Sequence, residues 1–402
     1  MQIMEESDQL RFGFDLFDPT KIVPEELVPL TPIGKMTLNR NPVNYFSETE
    51  QVMYQPGHIV RGIDFTEDPL LQGRIFSYLD TQLNRNGGPN FEQLPINQPR
   101  VPWHNNNRDG AAQFFIPSNI APYTPNTVND GYPKQADAGP NGKGFFTAPT
   151  RYASGRLVRN VSPTFKDVWS QPRLFYNSLV PAEQQFLVNA IRFETSHVTS
   201  AVIKKNVIMQ LNRISHDIAS RVALALGLQA PSPDPTYYHD NKTTGVGVFG
   251  TPLKRLDGLL VGYLSTTNTS KGASSIKSAL AASNVDLLVV AERLTADVDM
   301  TYSASDATSF DAIVVDPGAD ALLTSNASET TSTLFPSHRP LQILIDAYRY
   351  GKPVGADASV LLAAGITQGP GVFGSSGANV SGSVLEGLRT FKFLNRFPLD
   401  KA

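Results

Sequence analysis

The chain has 402 residues, 34 basic against 37 acidic for a net charge near −3, with 41% hydrophobic residues and no cysteine. That length exceeds what one compact core usually holds, so about two or three domains are expected. The balanced charge argues against a general attraction to nucleic acid or an anionic membrane, and the absence of cysteine excludes disulfides, thiolate metal sites, iron–sulfur clusters and a cysteine nucleophile.

No apolar run approaches the ~20 residues that span a bilayer, and the opening MQIMEESDQLRFGFDLFDPTK has neither a basic start nor an apolar leader core. PLDKA at the other end is no peroxisomal address. Asn-x-Ser/Thr triplets at Asn160, Asn241, Asn268, Asn326 and Asn379 tilt the reading slightly toward secretion.

The first ~150 residues are rich in Pro, Asn and Gly, with short apolar stretches such as IGKMTLN and GHIVRGIDF. Within them, RIFSYLDTQ places Arg74 and Tyr78 at i and i+4, neighbours on one face of a helix. A surface pair is the plain reading. The sharper one is a tyrosinate, because a phenol titrating near pH ~10 becomes a metal ligand at neutral pH only beside a cation or on a metal. The following stretch, PINQPRVPWHNNNRDGAAQFF and onward, carries too many prolines for helices and too little alternation for a sheet. It reads as an extended arm wrapping another body.

From ~180 to 228 the pattern turns helical. PAEQQFLVNAIRFETSHV opens with Pro181 and an acidic first turn, and Leu211, Ile214, Ile218 and Val222 recur at helical spacing before Gly227. A helical pair is expected, bearing His197 and His216 as surface or satisfied core groups rather than metal ligands. After the linker QAPSPDPTYYHDNKTTG, the near-continuous apolar runs LDGLLVGYL, VDLLVVAERL and FDAIVVD alternate with helical segments. That alternation predicts a parallel sheet with helices on both faces, and VVDPGAD marks the rim where such folds bind ligands.

Taken together, FDLFDPTK, IGKMTLNRNPVNYFSETEQV, PGHIVRGIDFTEDPLLQGRIFSYLDTQLNRNGGPNF and HNNNRDG resemble monofunctional haem catalases of the large-subunit, fungal type. The resemblance covers nearly the whole chain and implies an α+β multidomain protein. It places part of the catalase β-barrel with the proximal haem helix at 1–90, a wrapping arm at 91–178, a helical segment at 179–230 and a flavodoxin-like domain, related to class I glutamine amidotransferases, at 240–402.

The resemblance makes Tyr78 the proximal iron ligand and Arg74 its hydrogen-bond partner, gives Arg85 a haem propionate, and packs Pro56 on the proximal side. Gln82 follows the large-subunit pattern. Gln55 stands where some members have a histidine cross-linked to the haem tyrosine, so no such bond is expected, and His58 is taken as structural. Val23 and Glu25 replace the tryptophan and histidine of the small-subunit NADPH site, so no NADPH is expected. The cofactor would be haem b or d, the substrate hydrogen peroxide and the assembly a homotetramer.

In the family the distal histidine, a serine and an asparagine precede the segment matching MQIMEE. The chain is therefore read as a C-terminal portion without catalytic residues of its own, its first ~60 residues being barrel strands without partners, and inactive or nearly so by itself. In the C-terminal domain the amidotransferase cysteine is lacking: Gly355 to Ser359 hold none, and Ser359 is expected as a helix cap. The competing reading is a non-enzymatic fragment whose flavodoxin-like domain has a structural or chaperone-like role.

Overall fold

The computed structural model describes residues 1–8, 11–100, 110–115, 121, 123–132, 134–139, 141–142, 144, 152, 154–156, 158, 160–247, 249, 251–324, 332–376 and 379–400. Most of HNNNRDG and the triplet at Asn326 lie outside them. The chain divides into two compact units, Met1–Gln171 and Pro172–Ala402.

The first unit is built around one long helix, α1 (Pro69–Arg85). Asp68 caps it by accepting from Leu70 N at 2.8 Å and Leu71 N at 3.4 Å, and Pro69 supplies the pre-set φ of a first helical residue. After Arg85 the helix ends at Asn86, and Gly87 and Gly88 follow with φ of 87° and 64°, backbone angles that glycine adopts without strain. The barrel strands expected over residues 1–60 do not form ladders. Among the described residues of this unit the β pairing is a single antiparallel bridge, Gln2 with Leu30. A strand is defined by its partner, and here Met36, Leu38 and Val43 stand exposed in segments without ladder pairing.

What order the unit has comes from polar ties across long sequence separations. Asp18 and Lys21 form a buried ion pair at 3.2 Å, Thr164 donates to Asp18, and Lys21 donates to the carbonyl of Asp167, 146 residues away. Ile22 and Gln171 exchange backbone-to-side-chain bonds at 2.8 and 2.9 Å. The end of the expected arm is thus fixed to the FDPTK segment. It is also helical, since α2 (Ser170–Ser178) begins where Asp167 accepts from Ser170 N.

In the second unit the expected helical pair is a larger group: α2 is followed by α3 (Pro181–Ser196), α4 (Ala201–Ile214) and α5 (His216–Ala225). Ser215, extended at φ −162° and ψ 130°, interrupts the stripe that the sequence spacing joined. Ile218 and Val222 are buried with Tyr176 and Val188, with Leu211 packed beside them, while Ile208 meets Ala219 and Ala223.

The α/β part follows as β1 (Leu260–Leu264), α6 (Ala273–Ala281), β2 (Asp286–Ala291), β3 (Met300–Thr301), β4 (Ala312–Val315), α7 (Asp320–Thr324), α8 (Arg339–Arg349), β5 (Val354–Gly355), α9 (Ala358–Ala363), β6 (Val372–Phe373) and α10 (Val380–Thr390). All pairings are parallel, in the order β3-β2-β1-β4-β5-β6. One face buries Leu264, Val290, Ile313 and Val315 against Ile343, Leu344 and Val360 of α8 and α9. The other buries Val261, Val289 and Val314 against Leu280 of α6 and Val384 and Leu388 of α10. Covered on both faces, the strands must be apolar at every position, which is why they read as continuous runs. At Gly262 a Cβ would lie 2.8 Å from Ile313 Cδ1 and the Phe310 ring, so this central strand has room for hydrogen alone.

Candidate functional site

The α1 stripe carries the residues singled out from the sequence. Arg74, Tyr78, Gln82 and Arg85 recur at four-, four- and three-residue steps and so share one side of the helix. The Arg74 guanidinium carbon lies 5.3 Å from the Tyr78 ring centroid. A side-chain hydrogen bond with Tyr78 is the largest cause holding the guanidinium above its ordinary pKa. The arginine is exposed and the tyrosine half-buried, so the phenol is held from one side and open on another.

Gln82 is buried, donates to the Tyr54 carbonyl at 3.0 Å and accepts from Asn86 Nδ2 at 2.9 Å. Its amide is a structural tie between α1 and the chain running before it. Arg85, three residues further on, donates to Glu50 O at 2.9 Å and Glu50 Oε1 at 3.4 Å in an exposed pair.

The chain before the helix is folded back along it. Met53 N donates to Asn97 Oδ1 and Asn97 Nδ2 to Gln51 O, both at 2.9 Å, and the Gln55 side chain accepts from Gly57 N at 2.9 Å. A Cβ on Gly57 would come 3.6 Å from Ile75 Cγ2, which puts this turn, and half-buried Pro56 within it, against α1. Tyr54, not marked out by the sequence, sets its ring edge-on to Tyr78 at 5.3 Å. No local pattern could have revealed it, because the two rings are 24 positions apart, with turns and the first half of α1 between them.

Other candidates are placed apart from this stripe or do ordinary work. Gln55 is buried with its amide engaged, and the His58 ring stacks on Phe91 at 6.3 Å. Val23 gives its carbonyl to Gln2 Nε2 at 2.9 Å, and Glu25 is half-buried. His197 bonds the Phe193 carbonyl at 2.8 Å, and His216 bonds Asn212 Oδ1 and Ser220 Oγ. Among the described residues no group of three metal-ligating side chains is assembled. Ser359 is not the cap expected of it: Asp357 occupies the N-cap position of α9, and Ser359 lies exposed in the first turn.

At the sheet rim the crevice between β1 and β4 is filled by the protein itself. Ser265 Oγ donates to Asp316 Oδ2 at 2.5 Å, and Gly318 lies so close to Thr269 that a Cβ there would come within 2.6 Å of it. The Thr267 amide and hydroxyl both donate to Glu292, at 2.6 and 2.7 Å. Loop-to-loop bonds occupy the polar groups that a ligand would need.

Known proteins to which the chain is similar are catalases. Residues 1–130 match the family described as Catalase, residues 162–226 that described as Catalase-related immune-responsive, and residues 257–398 the C-terminal domain found in long catalases. The whole chain is similar to particular long catalases: 64% identical to Catalase B of Aspergillus oryzae and 62% to Catalase B of Aspergillus fumigatus, in each case over 100% of this chain and 57% of the relative. Catalase HPII of Pseudomonas aeruginosa is 35% identical over the same shares. The chain thus spans about half the length of the curated relatives it matches. No described helix is long and apolar enough to cross a membrane.

Proposed function

We propose that the chain forms part of a long haem catalase and supplies the proximal side of its haem site. The observation that carries this is the Arg74–Tyr78 pair on α1, in a segment of catalase sequence. Tyrosine ligation of haem iron is the known arrangement of catalases. The donor set fits such a group: a phenol oxygen backed by a guanidinium, beside the half-exposed ring of Tyr54 as flat apolar surface. Bound haem would supply the redox chemistry that converts hydrogen peroxide to water and oxygen.

This chain's own residues bind and orient. Tyr78 offers one oxygen to the iron, and Arg74, charged at any relevant pH, favours negative charge on that oxygen. Arg85 is assigned a propionate, for which it would exchange its exposed bonds to Glu50; an exposed pair contributes about 0–1 kcal/mol, so the exchange is easy. Pro56 packs on the proximal side. The proton transfer between peroxide oxygens is assigned to none of these residues. Haem of the b or d type fits the proposal equally, and the homotetramer and the peroxide substrate are carried over from the family.

The test is haem loading of the protein with and without Tyr78→Phe. The unsubstituted protein is expected to show a Soret band, which the variant loses by at least tenfold in occupancy. An unchanged spectrum in Tyr78→Phe refutes the ligand assignment.

The parallel α/β part favours a second, complementary reading: a flavodoxin-like, amidotransferase-related domain that has no catalytic role and stabilises the whole. Its support is the self-filled β1–β4 crevice and the cysteine-free strand-to-helix turn at Gly355 to Ser359.

A further inference from the structure

The segment that follows α10 runs from the α/β part to the helical group and is anchored on both. Phe393 N donates to Gly351 O at 2.7 Å. The Arg396 guanidinium donates to the carbonyls of Lys352 at 2.6 Å, Pro370 at 2.8 Å and Tyr348 at 3.3 Å. It also lies over the rings of Tyr348 and Phe393, its central carbon 4.5 and 4.8 Å from their centroids. Three carbonyls and two ring faces therefore fix one side chain to the α/β part.

Four positions further on, Asp400 is held by the helical group. Its carboxylate accepts from Arg192 of α3 at 3.1 and 2.6 Å and from Arg221 of α5 at 2.9 Å, and its N–H donates to buried Gln185 of α3 at 2.7 Å. Arg192 also donates to the Arg221 carbonyl, so the two guanidinium groups are set beside each other by the helices themselves. Between the anchors, Phe397 touches both sides. Its ring meets Phe186 of α3 edge-on at 4.6 Å and lies against Gly351, where a Cβ would come within 2.9 Å of it.

We infer that residues 393–400 form a strap that couples the helical group α2 to α5 to the α/β part, so that the two open and unfold as one. The helical group has a small core of its own. Among the described residues it buries Tyr176, Val188, Ile218 and Val222 in one cluster and Ile208, Ala219 and Ala223 in another, whereas the sheet is packed on both faces. A part with few buried apolar groups opens at lower free energy than its neighbour unless a shared contact makes the two openings one event. The strap supplies that contact, and it does so whether or not Tyr78 holds an iron.

The experiment is hydrogen–deuterium exchange of the full chain in mild urea, read peptide by peptide by mass spectrometry, in Arg396→Ala, Asp400→Ala and the double variant. Arg396 gives the decisive reading because the carbonyls it bonds all lie in the α/β part, away from the helices whose exchange is followed. In Arg396→Ala the amides of α3 and α5 are expected to exchange at least about tenfold faster while those of β1 and β4 keep the wild-type rate. Asp400→Ala is expected to free the same helices, and the double variant to exchange no faster than the faster single variant, because a strap cut at one end is already released. Acceleration in Arg396→Ala confined to the peptides around Tyr348, Lys352 and Pro370 overturns the inference, and so do accelerations that multiply in full in the double variant. Phe397→Leu is a milder cut that keeps an apolar side chain at Gly351 and removes the edge-on contact with Phe186, and it decides the matter where Arg396→Ala also loosens β1 and β4. It is expected to speed exchange in α3 and α5 alone, and wild-type rates there overturn the strap.

Discussion

Asp400 shows how much one side chain can tie together in the second unit. Its carboxylate accepts from Arg192 at 2.6 Å and Arg221 at 2.9 Å, its backbone N–H donates to Gln185 at 2.7 Å, and Phe397 nearby meets Phe186 edge-on at 4.6 Å. The hydrogen bond from Arg192, followed by that from Arg221, holds the carboxyl down at about 2. A folded-state pKa below the unfolded one means the stabilisation is present above pH ~4 and is lost as pH falls toward about 2. Asp400→Asn is therefore expected to lower the urea midpoint at neutral pH, with the gap to wild type closing between pH ~4 and ~2. A gap that stays constant down to pH ~2 would show that the carboxylate charge is not what matters. High salt should narrow the gap, because the pair is partly exposed.

At the same scale, Arg74 and Tyr78 were legible because helical spacing is a local property. Tyr54 was not, since its place depends on the bond that its carbonyl accepts from Gln82 and on the bond that neighbouring Met53 donates to Asn97, which no spacing encodes.

Among the elements, the three long strands were legible for a physical reason. β1, β2 and β4 lie in the middle of a sheet covered on both faces, so each is an unbroken apolar run. The outer strands β3, β5 and β6 are two residues each, too short to leave a pattern. The helical region failed differently. Leu211 to Val222 keep one spacing across Ser215, yet the backbone there is extended, so a continuous stripe serves two helices. The barrel strands that the resemblance implied over the first ~60 residues were not legible in short apolar stretches such as IGKMTLN, because a ladder needs partners that composition cannot supply.

The covered sheet yields a contrast within one residue type. Leu344 on α8 is fully buried against the sheet, whereas Leu362 on α9 is 83% exposed. Leu344→Ala removes packing that the rigid neighbours cannot refill and is expected to cost about 2–5 kcal/mol. Leu362→Ala should stay within about 0.5 kcal/mol of wild type. Urea unfolding followed by far-UV circular dichroism checks both, and equal costs would contradict the placement of Leu344 in the core and Leu362 on the surface.

For the molecule as a whole, the distribution of burial separates the two units. Among the described residues, the largest fully buried side chains, including Tyr302, Phe310, Leu264, Leu388 and Val188, belong to the second unit. The first unit exposes Met36, Leu38, Val43 and Phe76 and is ordered mainly by polar ties such as Asp18–Lys21. Segments with few buried apolar contacts open at low free-energy cost, and proteases cut what opens. Limited digestion of the chain is therefore expected to cut first within residues 1–171 and to leave a resistant core that includes 260–390, read by mass spectrometry of the products. If Tyr78, Arg85 and Pro56 hold haem as proposed, haem should change that order locally by joining them to one rigid group and so protecting α1, because a ligand that binds only the folded form stabilises it by mass action. Protection of α1 on adding haem, abolished by Tyr78→Phe, would link the iron ligand to the folding of the unit that presents it. Equal cutting of α1 with and without haem would leave the second unit as the only stable body in the chain and favour its structural role over the haem-holding one.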